Sequence, residues 1–356
     1  MKVLHVAETI KGGVATVMRQ LVTSQLADKD LTNVKCLIPK QQVSELEGIN
    51  QNNIYFYNRT GRNFSSLIRL TINFIKVLLT YKPEIIHLHS TFSGAICRIV
   101  LFFARPIYRP KIIYCPHGFS FLMKNTELKN KIYINIEKYL SFITEKIICV
   151  SQFEAEAAKR AGLDPKKIVL IYNGIKPVFY EKNYNDDFAL NLLFIGRLDF
   201  QKGIDILEKA MQLLPEDKFK LIIIGDSENG KREKLIKKNI IYKGWLKNSE
   251  IVEYLQQADA LVIPSRWEGF AMVPLEAMNY SLPIIASDST SLIEVVKENE
   301  TGLFFENENE NSLASIILSL DKRKLQQFGK AGNNFFLKNF TDDRMIDLTN
   351  QLYKIN

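Results

Sequence analysis

The sequence predicts an α/β protein made of two doubly wound, Rossmann-like halves. Three observations predict it. At 356 residues, the chain is long enough for about two domains of roughly 150 residues each. Short apolar runs alternate with longer amphipathic ones, and strands separated by helices assemble into parallel sheets covered on both faces. The alternation breaks at an Asn173-Gly174 turn and then restarts.

In the first half, residues 3–7, 34–38, 84–88, 111–114, 146–150 and 168–172 read as strands. Residues 13–26, 64–79, 94–103, 128–142 and 152–161 read as helices. Residues 176–188 are polar and irregular, with Pro177 and Asp186-Asp187, and read as a linker. Beyond it, strands are expected at 190–195, 220–224, 240–242, 260–263 and 283–286. Helices are expected at 203–213, 248–257, 274–280, 311–320 and from about 343. The domains are accordingly 1–175 and 176–342. Ligands of such folds bind outside the carboxyl ends of the strands, so a cleft between facing domains is the expected site.

Hydrophobic residues make up 46% and charged residues 24% of the chain, which excludes disordered, collagen-like and disulfide-stapled classes. The net charge of +8 is compatible with nucleic acid, an anionic membrane or a phosphate ligand. Its distribution is uneven. Residues 1–180 hold 25 Lys/Arg against 12 Asp/Glu, and residues 181–356 hold 22 against 27. One half is therefore basic and the other mildly acidic. Cys36, Cys97, Cys115 and Cys149 form no CxxC pair and read as small buried hydrophobes in a reducing compartment. The N-terminus reads as a strand rather than a signal peptide. Residues 64–81 contain Arg69 and Lys76 and read as an amphipathic helix, not a transmembrane span, so membrane contact is expected to be peripheral.

The sharpest motif is Ser265-Arg266-Trp267-Glu268-Gly269-Phe270-Ala271-Met272-Val273-Pro274-Leu275-Glu276. A strand ends just before it, and Pro274 suits the first turn of the helix that follows. Gly269 lets a ligand approach the backbone, and the helix start can hold an anion such as a diphosphate. Glu268 in the loop and Glu276 on the helix can reach different hydroxyls of one polyol. The second motif is Gly196-Arg197-Leu198-Asp199-Phe200-Gln201-Lys202-Gly203. It places two cations, Arg197 and Lys202, between a strand and a helix, which suits a diphosphate.

In the basic half, Gly12-Gly13 forms a turn after the first strand, a weak phosphate-loop signal on its own. His117 lies between Pro116 and Gly118 at a strand end, where structural and functional roles are equally expected. His87 and His89 flank Leu88 and share one strand face. No third ligand of suitable spacing accompanies them, so structural or cleft-lining roles are favoured over a metal.

Taken together these residues resemble the retaining GT-B glycosyltransferases of family 4. The likeness runs from Gly12-Gly13 through Pro116-His117-Gly118, Val150-Ser151, Asn173-Gly174, Gly196-Arg197-Leu198, Lys202-Gly203, Gly225-Asp226 and Gly244-Trp245. It continues through the EX7E glutamates, Glu268 and Glu276, and Glu294 ahead of Thr301-Gly302-Leu303. The stretch 115–121 looks like bacterial capsule, O-antigen and exopolysaccharide enzymes. The resemblance implies a nucleotide diphosphate sugar, a UDP-sugar by preference, held by the C-terminal domain. Arg197 and Lys202 would bind the diphosphate and stabilise the leaving group without a metal or cofactor. Glu276 would bind the ribose, Glu268 the donor sugar, and backbone amides at Gly269 and Phe270 the sugar and phosphate. The base would sit near Trp245 and Leu246, with Gly196 at the site. His117 would contact the sugar from the N-terminal domain, and Gly12-Gly13 would approach the diphosphate. The helix at 343–356 would pack back on the first domain. In two places the chain departs from the pattern: Thr290-Ser291 and Ser281 stand where the family often has glycine, which bears on local loop shape.

Two stretches could touch a bilayer, or else turn their apolar faces into the core and leave the charges as a rim; the basic excess of the first half favours the bilayer. Residues 59–82 set Arg59, Arg62, Arg69, Lys76 and Lys82 around Phe64, Leu67, Ile68, Ile72, Phe74 and Ile75. Residues 98–111 interleave Arg98, Arg105, Arg109 and Lys111 with Leu101, Phe102, Phe103, Ile107 and Tyr108. Basic residues around apolar ones suit an anionic surface. The expected activity is therefore transfer of a hexose or N-acetylhexosamine to a lipid-linked saccharide at the cytoplasmic membrane face, in surface-polysaccharide synthesis. The alternative is a nucleotide-sugar epimerase of the same fold, which needs acid/base residues on both sides of the sugar. Nucleic acid is not an expected partner, because no reading motif is present.

Overall fold

The structure, a computed structural model, describes residues 1–31, 33–61, 63–123, 125–182, 189–227 and 233–354. Part of the linker, including Asp186-Asp187, lies outside these residues, as does Arg62 of the first membrane-facing stretch. The chain divides into two compact units, Met1–Gly174 with Asp342–Asn356, and Ile175–Thr341. Counted by unit, the first holds 26 Lys/Arg against 15 Asp/Glu and the second 21 against 24.

In unit 1, strands β1 (Lys2–Ala7), β2 (Asn33–Pro39), β3 (Ile54–Tyr57), β4 (Ile85–His89), β5 (Lys111–Cys115), β6 (Lys146–Cys149) and β7 (Ile168–Leu170) are joined by helices. These are α1 (Gly13–Ala27), α2 (Phe64–Tyr81), α3 (Thr91–Ala104), α4 (Glu127–Ser141) and α5 (Gln152–Arg160). The sheet order is β3-β2-β1-β4-β5-β6-β7, with every pair parallel. The winding reverses between β1 and β4. There the loops after neighbouring strands diverge to opposite faces and leave a crevice at the carboxyl ends.

Unit 2 repeats the plan with β8 (Leu190–Ile195), α6 (Ile204–Gln212), β9 (Phe219–Ile224), β10 (Ile240–Gly244), α7 (Asn248–Gln257) and β11 (Ala260–Ile263). It continues with α8 (Val273–Asn279), β12 (Ile284–Ser287), α9 (Leu292–Val295), β13 (Gly302–Phe305), α10 (Glu310–Leu318) and α11 (Lys322–Asn339). The parallel order is β10-β9-β8-β11-β12-β13, reversing between β8 and β11. The last helix, α12 (Asp342–Lys354), belongs to unit 1. Sequence patterning missed β3, β13 and α11. The first two are four-residue edge strands with too few positions to show a period. In β13, Gly302 is dictated by pairing, since a Cβ there would sit 2.1 Å from the Ile284 carbonyl of β12. In α11 the buried positions are Leu325, Phe328 and Phe336, with glycines at 329 and 332 diluting the apolar stripe.

One face of unit 1 is unusual. Helix α2 has the length and hydropathy to cross a membrane, but Leu70, Phe74 and Val77 pack into the core of unit 1. Its opposite side exposes Phe64, Ile68, Ile72, Ile75 and Leu79, a single stripe at helical spacing. Helix α3 packs beside α2, and α4 beside α3. They add exposed Ile99, Phe102 and Phe103, then Leu128, Ile132, Ile136 and Tyr139. Arg69, Lys76, Arg105, Arg109, Lys129, Lys131 and Lys138 are exposed among them. Two expectations about this face are corrected. Phe74 and Leu101 belong to the core, and Arg98 is 0% exposed. Arg98 is tied to Glu137 of α4 at 2.7 Å, an ion pair that holds two helices together instead of meeting a surface.

Candidate active site

The unit 2 site is built from the two loops that follow β8 and β11, the strands astride the reversal. Lys202 closes the first loop. Its backbone N–H donates to Asp199 Oδ1 at 2.9 Å, and Gly203 then caps α6 in the left-handed region at φ 66°. A Cβ on Gly203 would lie 1.8 Å from the Pro264 carbonyl, so glycine is what lets the two loops touch. That contact delivers Lys202 to the second loop. Lys202 Nζ bonds Glu268 Oε1 at 2.6 Å, and Ser265 Oγ donates to the same oxygen at 2.6 Å.

Glu268 is only 7% exposed. Its backbone N–H donates to Thr290 Oγ1 at 2.8 Å, and its carbonyl accepts from Ser291 Oγ at 3.3 Å. Thr290 and Ser291, which stand where the family often has glycine, therefore grip the second loop by its backbone. Thr290 and Ser281 still adopt left-handed φ values of 42° and 54°, so the glycine-like chain path survives the substitutions. Ser287 Oγ and Ser289 Oγ both donate to the Ser265 carbonyl, at 2.6 and 2.8 Å, fixing the loop's start.

Arg197 projects from the same first loop and reaches Gln201 Oε1 at 3.1 Å and Asp199 Oδ2 at 3.2 Å. Gly196 stands ahead of it, its N–H bonded to the Ile224 carbonyl at 2.9 Å. Gly269 and Phe270 follow Glu268, the Phe270 ring packing 5.9 Å from Phe340. Glu276 lies in the first turn of α8, with Pro274 at the helix start. Burial raises the pKa of its carboxyl above the ordinary range, and no side-chain hydrogen bond satisfies it among the described residues. Trp245 is exposed beyond the edge strand β10, with Leu246 beside it.

One structural residue escaped the sequence reading. Arg266 forks onto Asp205 of α6 at 2.9 and 2.8 Å, reaches Glu308 at 2.5 Å and lies 3.8 Å over the Phe200 ring. It buttresses the second loop against the first.

In unit 1, Gly12 caps α1 at φ 57° and Gly13 opens the helix. His117 adopts φ 51°, a costly conformation for a non-glycine residue that must be held from outside. Glu154 of α5 holds it. Its Oε1 accepts from the N–H groups of Gly118 and Phe119 at 2.8 and 3.1 Å, and its Oε2 from Val150 at 2.8 Å. Burial raises the Glu154 pKa to about 7, against the opposing pull of those three donors. The Ser151-x-x-Glu154 spacing of a capping box was the signal that could have found it.

The reading that His87 and His89 lack a third companion is overturned by the register, which sets His5 of β1 opposite His87 of β4. One nitrogen from each of His5, His87 and His89 lies within 4.8 Å of the others. His5 Nδ1 and His89 Nε2 bond each other at 3.0 Å.

Comparisons with known proteins show the family. Residues 11–179 match the family described as Glycosyltransferase Family 4, and residues 181–335 match Glycosyl transferases group 1. The chain belongs to the family 4 glycosyltransferases and has the GT-B fold of two Rossmann-like domains. It is 37% identical over 365 residues, covering 99% of both chains, to an uncharacterized 41.2 kDa protein in the cps region of Klebsiella pneumoniae. It is 26% identical over 327 residues to an Escherichia coli UDP-Gal:alpha-D-GlcNAc-diphosphoundecaprenol alpha-1,3-galactosyltransferase, covering 84% of this chain and 83% of that one. Among solved structures, Anabaena Alr3699/HepE in complex with UDP and glucose superposes over 100% of both chains with a TM-score of 0.80 at 18% identity. The protein is a glycosyltransferase with relatives in capsule and O-antigen synthesis.

Proposed function

We propose that the protein moves a hexose or N-acetylhexosamine from a UDP-sugar to a lipid-linked saccharide, with retention at the anomeric carbon and without a metal. The observation that carries this is the Lys202–Glu268–Ser265 cluster between the loops of β8 and β11, a cation and a carboxylate locked side by side at 2.6 Å. Arg197 and Lys202 carry the charge that develops on the departing UDP, a preorganised electrostatic role. As the diphosphate takes Lys202, the Glu268 carboxylate is freed to accept from hydroxyls of the donor sugar. Glu276 binds the ribose hydroxyls, amides at Gly269 and Phe270 meet sugar and phosphate, and the base sits by Trp245 and Leu246. Gly196 leaves room beside the phosphates. In unit 1, Gly12-Gly13 and His117 are the residues assigned to the diphosphate and the sugar. Support for UDP comes from the UDP-bound structural neighbour, and support for the acceptor from the diphosphoundecaprenol-linked substrate in the Escherichia coli relative's name. Incubation with labelled UDP-sugars is expected to release UDP only when lipid-linked saccharide is present, and to give a product with the donor's anomeric configuration. Interconversion of the sugar without acceptor would establish the epimerase instead, and an inverted product would refute retention.

The acceptor's lipid implies a membrane surface, and we assign docking to the α2–α3–α4 face on the cytoplasmic side. Its apolar stripes and interspersed Lys and Arg combine insertion with attraction to anionic headgroups. The protein is expected to sediment with anionic vesicles at low salt and to leave them at high salt. Replacing Ile68, Ile72 and Phe103 by serine should reduce that binding severalfold without altering transfer to a soluble acceptor analogue. Failure to bind anionic vesicles at low salt would remove the docking proposal.

A further inference from the structure

All four histidines of the chain meet inside unit 1, His5, His89 and His117 joined by hydrogen bonds and His87 stacked against them. We propose that Gln25 of α1, acting through His5 and His89, fixes the ring tautomer of His117 so that its remaining nitrogen, Nδ1, is a hydrogen-bond acceptor. The argument follows the protons. Burial lowers the pKa of His5 and of His117 to about 4 and that of His89 well below its ordinary range. Each ring is therefore neutral near pH 7 and carries one ring proton. In a line of neutral imidazoles each contact holds one proton, so the polarity imposed at one end dictates the other.

Gln25, fully buried, imposes it. Its Nε2 donates to Asn350 Oδ1 of α12 at 2.9 Å, which turns Oε1 toward His5 Nε2 at 2.7 Å. That oxygen only accepts, so His5 carries its proton on Nε2. His5 Nδ1 then accepts from His89 Nε2 at 3.0 Å, and His89 Nδ1 accepts from His117 Nε2 at 3.0 Å. His117 Nδ1 is left bare and makes no hydrogen bond among the described residues. The fourth ring, His87, stacks 4.2 Å from His89 and is held by the Tyr353 hydroxyl at 2.6 Å, so it supports the line without entering it.

A bare Nδ1 accepts from a hydroxyl and donates to nothing. His117 thus selects a donor sugar that presents a free hydroxyl to it and gains nothing from a deoxy position. This last step rests on the proposed contact between His117 and the sugar. Gln25 and His89 are positioning residues in this scheme, not catalytic ones.

The test is nitrogen NMR of the full-length protein labelled in its histidine rings. At pH 7.5, His5, His89 and His117 are each expected to show a protonated Nε2 and a bare Nδ1. Gln25→Leu removes the acceptor and should turn His117 into a mixture of tautomers, with a several-fold rise in donor KM. A protonated Nδ1 on His117 in the wild type, or a His117 tautomer indifferent to Gln25→Leu, would overturn the proposal. The wild-type spectrum decides the matter alone if the leucine variant does not fold. If the tautomers are as expected but deoxy donors transfer as well as hydroxylated ones, the relay stands and only the sugar contact of His117 fails.

Discussion

Lys202→Ala is expected to lower kcat/KM for transfer by about a thousandfold, the range seen when one preorganised charge-stabilising group is removed. Two effects act in the same direction. The variant loses the cation that stabilises the departing diphosphate. It also leaves Glu268, a carboxylate only 7% exposed, with Ser265 Oγ as its remaining side-chain donor. An unscreened anion then faces an incoming diphosphate. Glu268→Gln in the Lys202→Ala background removes that anion. UDP binding by calorimetry is therefore expected to recover in the double variant while turnover stays low. Near-normal turnover in Lys202→Ala would show that the cluster is structural and the chemistry lies elsewhere.

Glu137→Leu is expected to cost roughly 3–5 kcal/mol of folding stability, the usual penalty for stranding one partner of a buried ion pair. Arg98 Nη2 would lose its contact at 2.7 Å, and the Tyr114 hydroxyl would lose its 2.9 Å acceptor. The guanidinium would keep the Gly94 carbonyl at 2.8 Å and the Tyr114 ring face at 3.9 Å. Those neutral contacts do not balance a buried charge. The Arg98→Met/Glu137→Leu pair removes both charges and is expected to restore most of the loss in urea denaturation. A Glu137→Leu variant as stable as the wild type would mean that Arg98 escapes to solvent and α3 and α4 are not clamped by it.

The alternation of strands and helices was legible because parallel sheets are buried on both faces, which makes each central strand a short continuous apolar run. The loops carrying Arg197, Lys202, Glu268 and Glu276 were legible because they follow such strands and contain glycines and charges together. What could not be read depended on register and long-range pairing. Arg98 has the local surroundings of a rim residue, and only the approach of Glu137 from α4 makes it a core residue. His5 is 82 residues from His87 in sequence, and only the β1–β4 pairing makes them neighbours. Gln25 and Asn350 carry no motif at all, and their roles arise solely from where α1 and α12 meet. The local path at Thr290 and Ser281 was hidden for the opposite reason. A glycine pattern suggests that no side chain fits, whereas here the backbone keeps the glycine conformation and the Thr290 hydroxyl is put to use.

The exposed face formed by α2, α3 and α4 also has a geometric consequence. Helices that cover a parallel sheet run nearly along its strands. A unit resting on that helical layer lies on its side, with the β-strand axes in the plane of the bilayer. The carboxyl ends of β1, β4 and β5, where Gly12 and His117 stand, then open along the membrane and not away from it. Under the docking proposed above, a lipid-tethered acceptor would then approach unit 1 by sideways travel, in two dimensions.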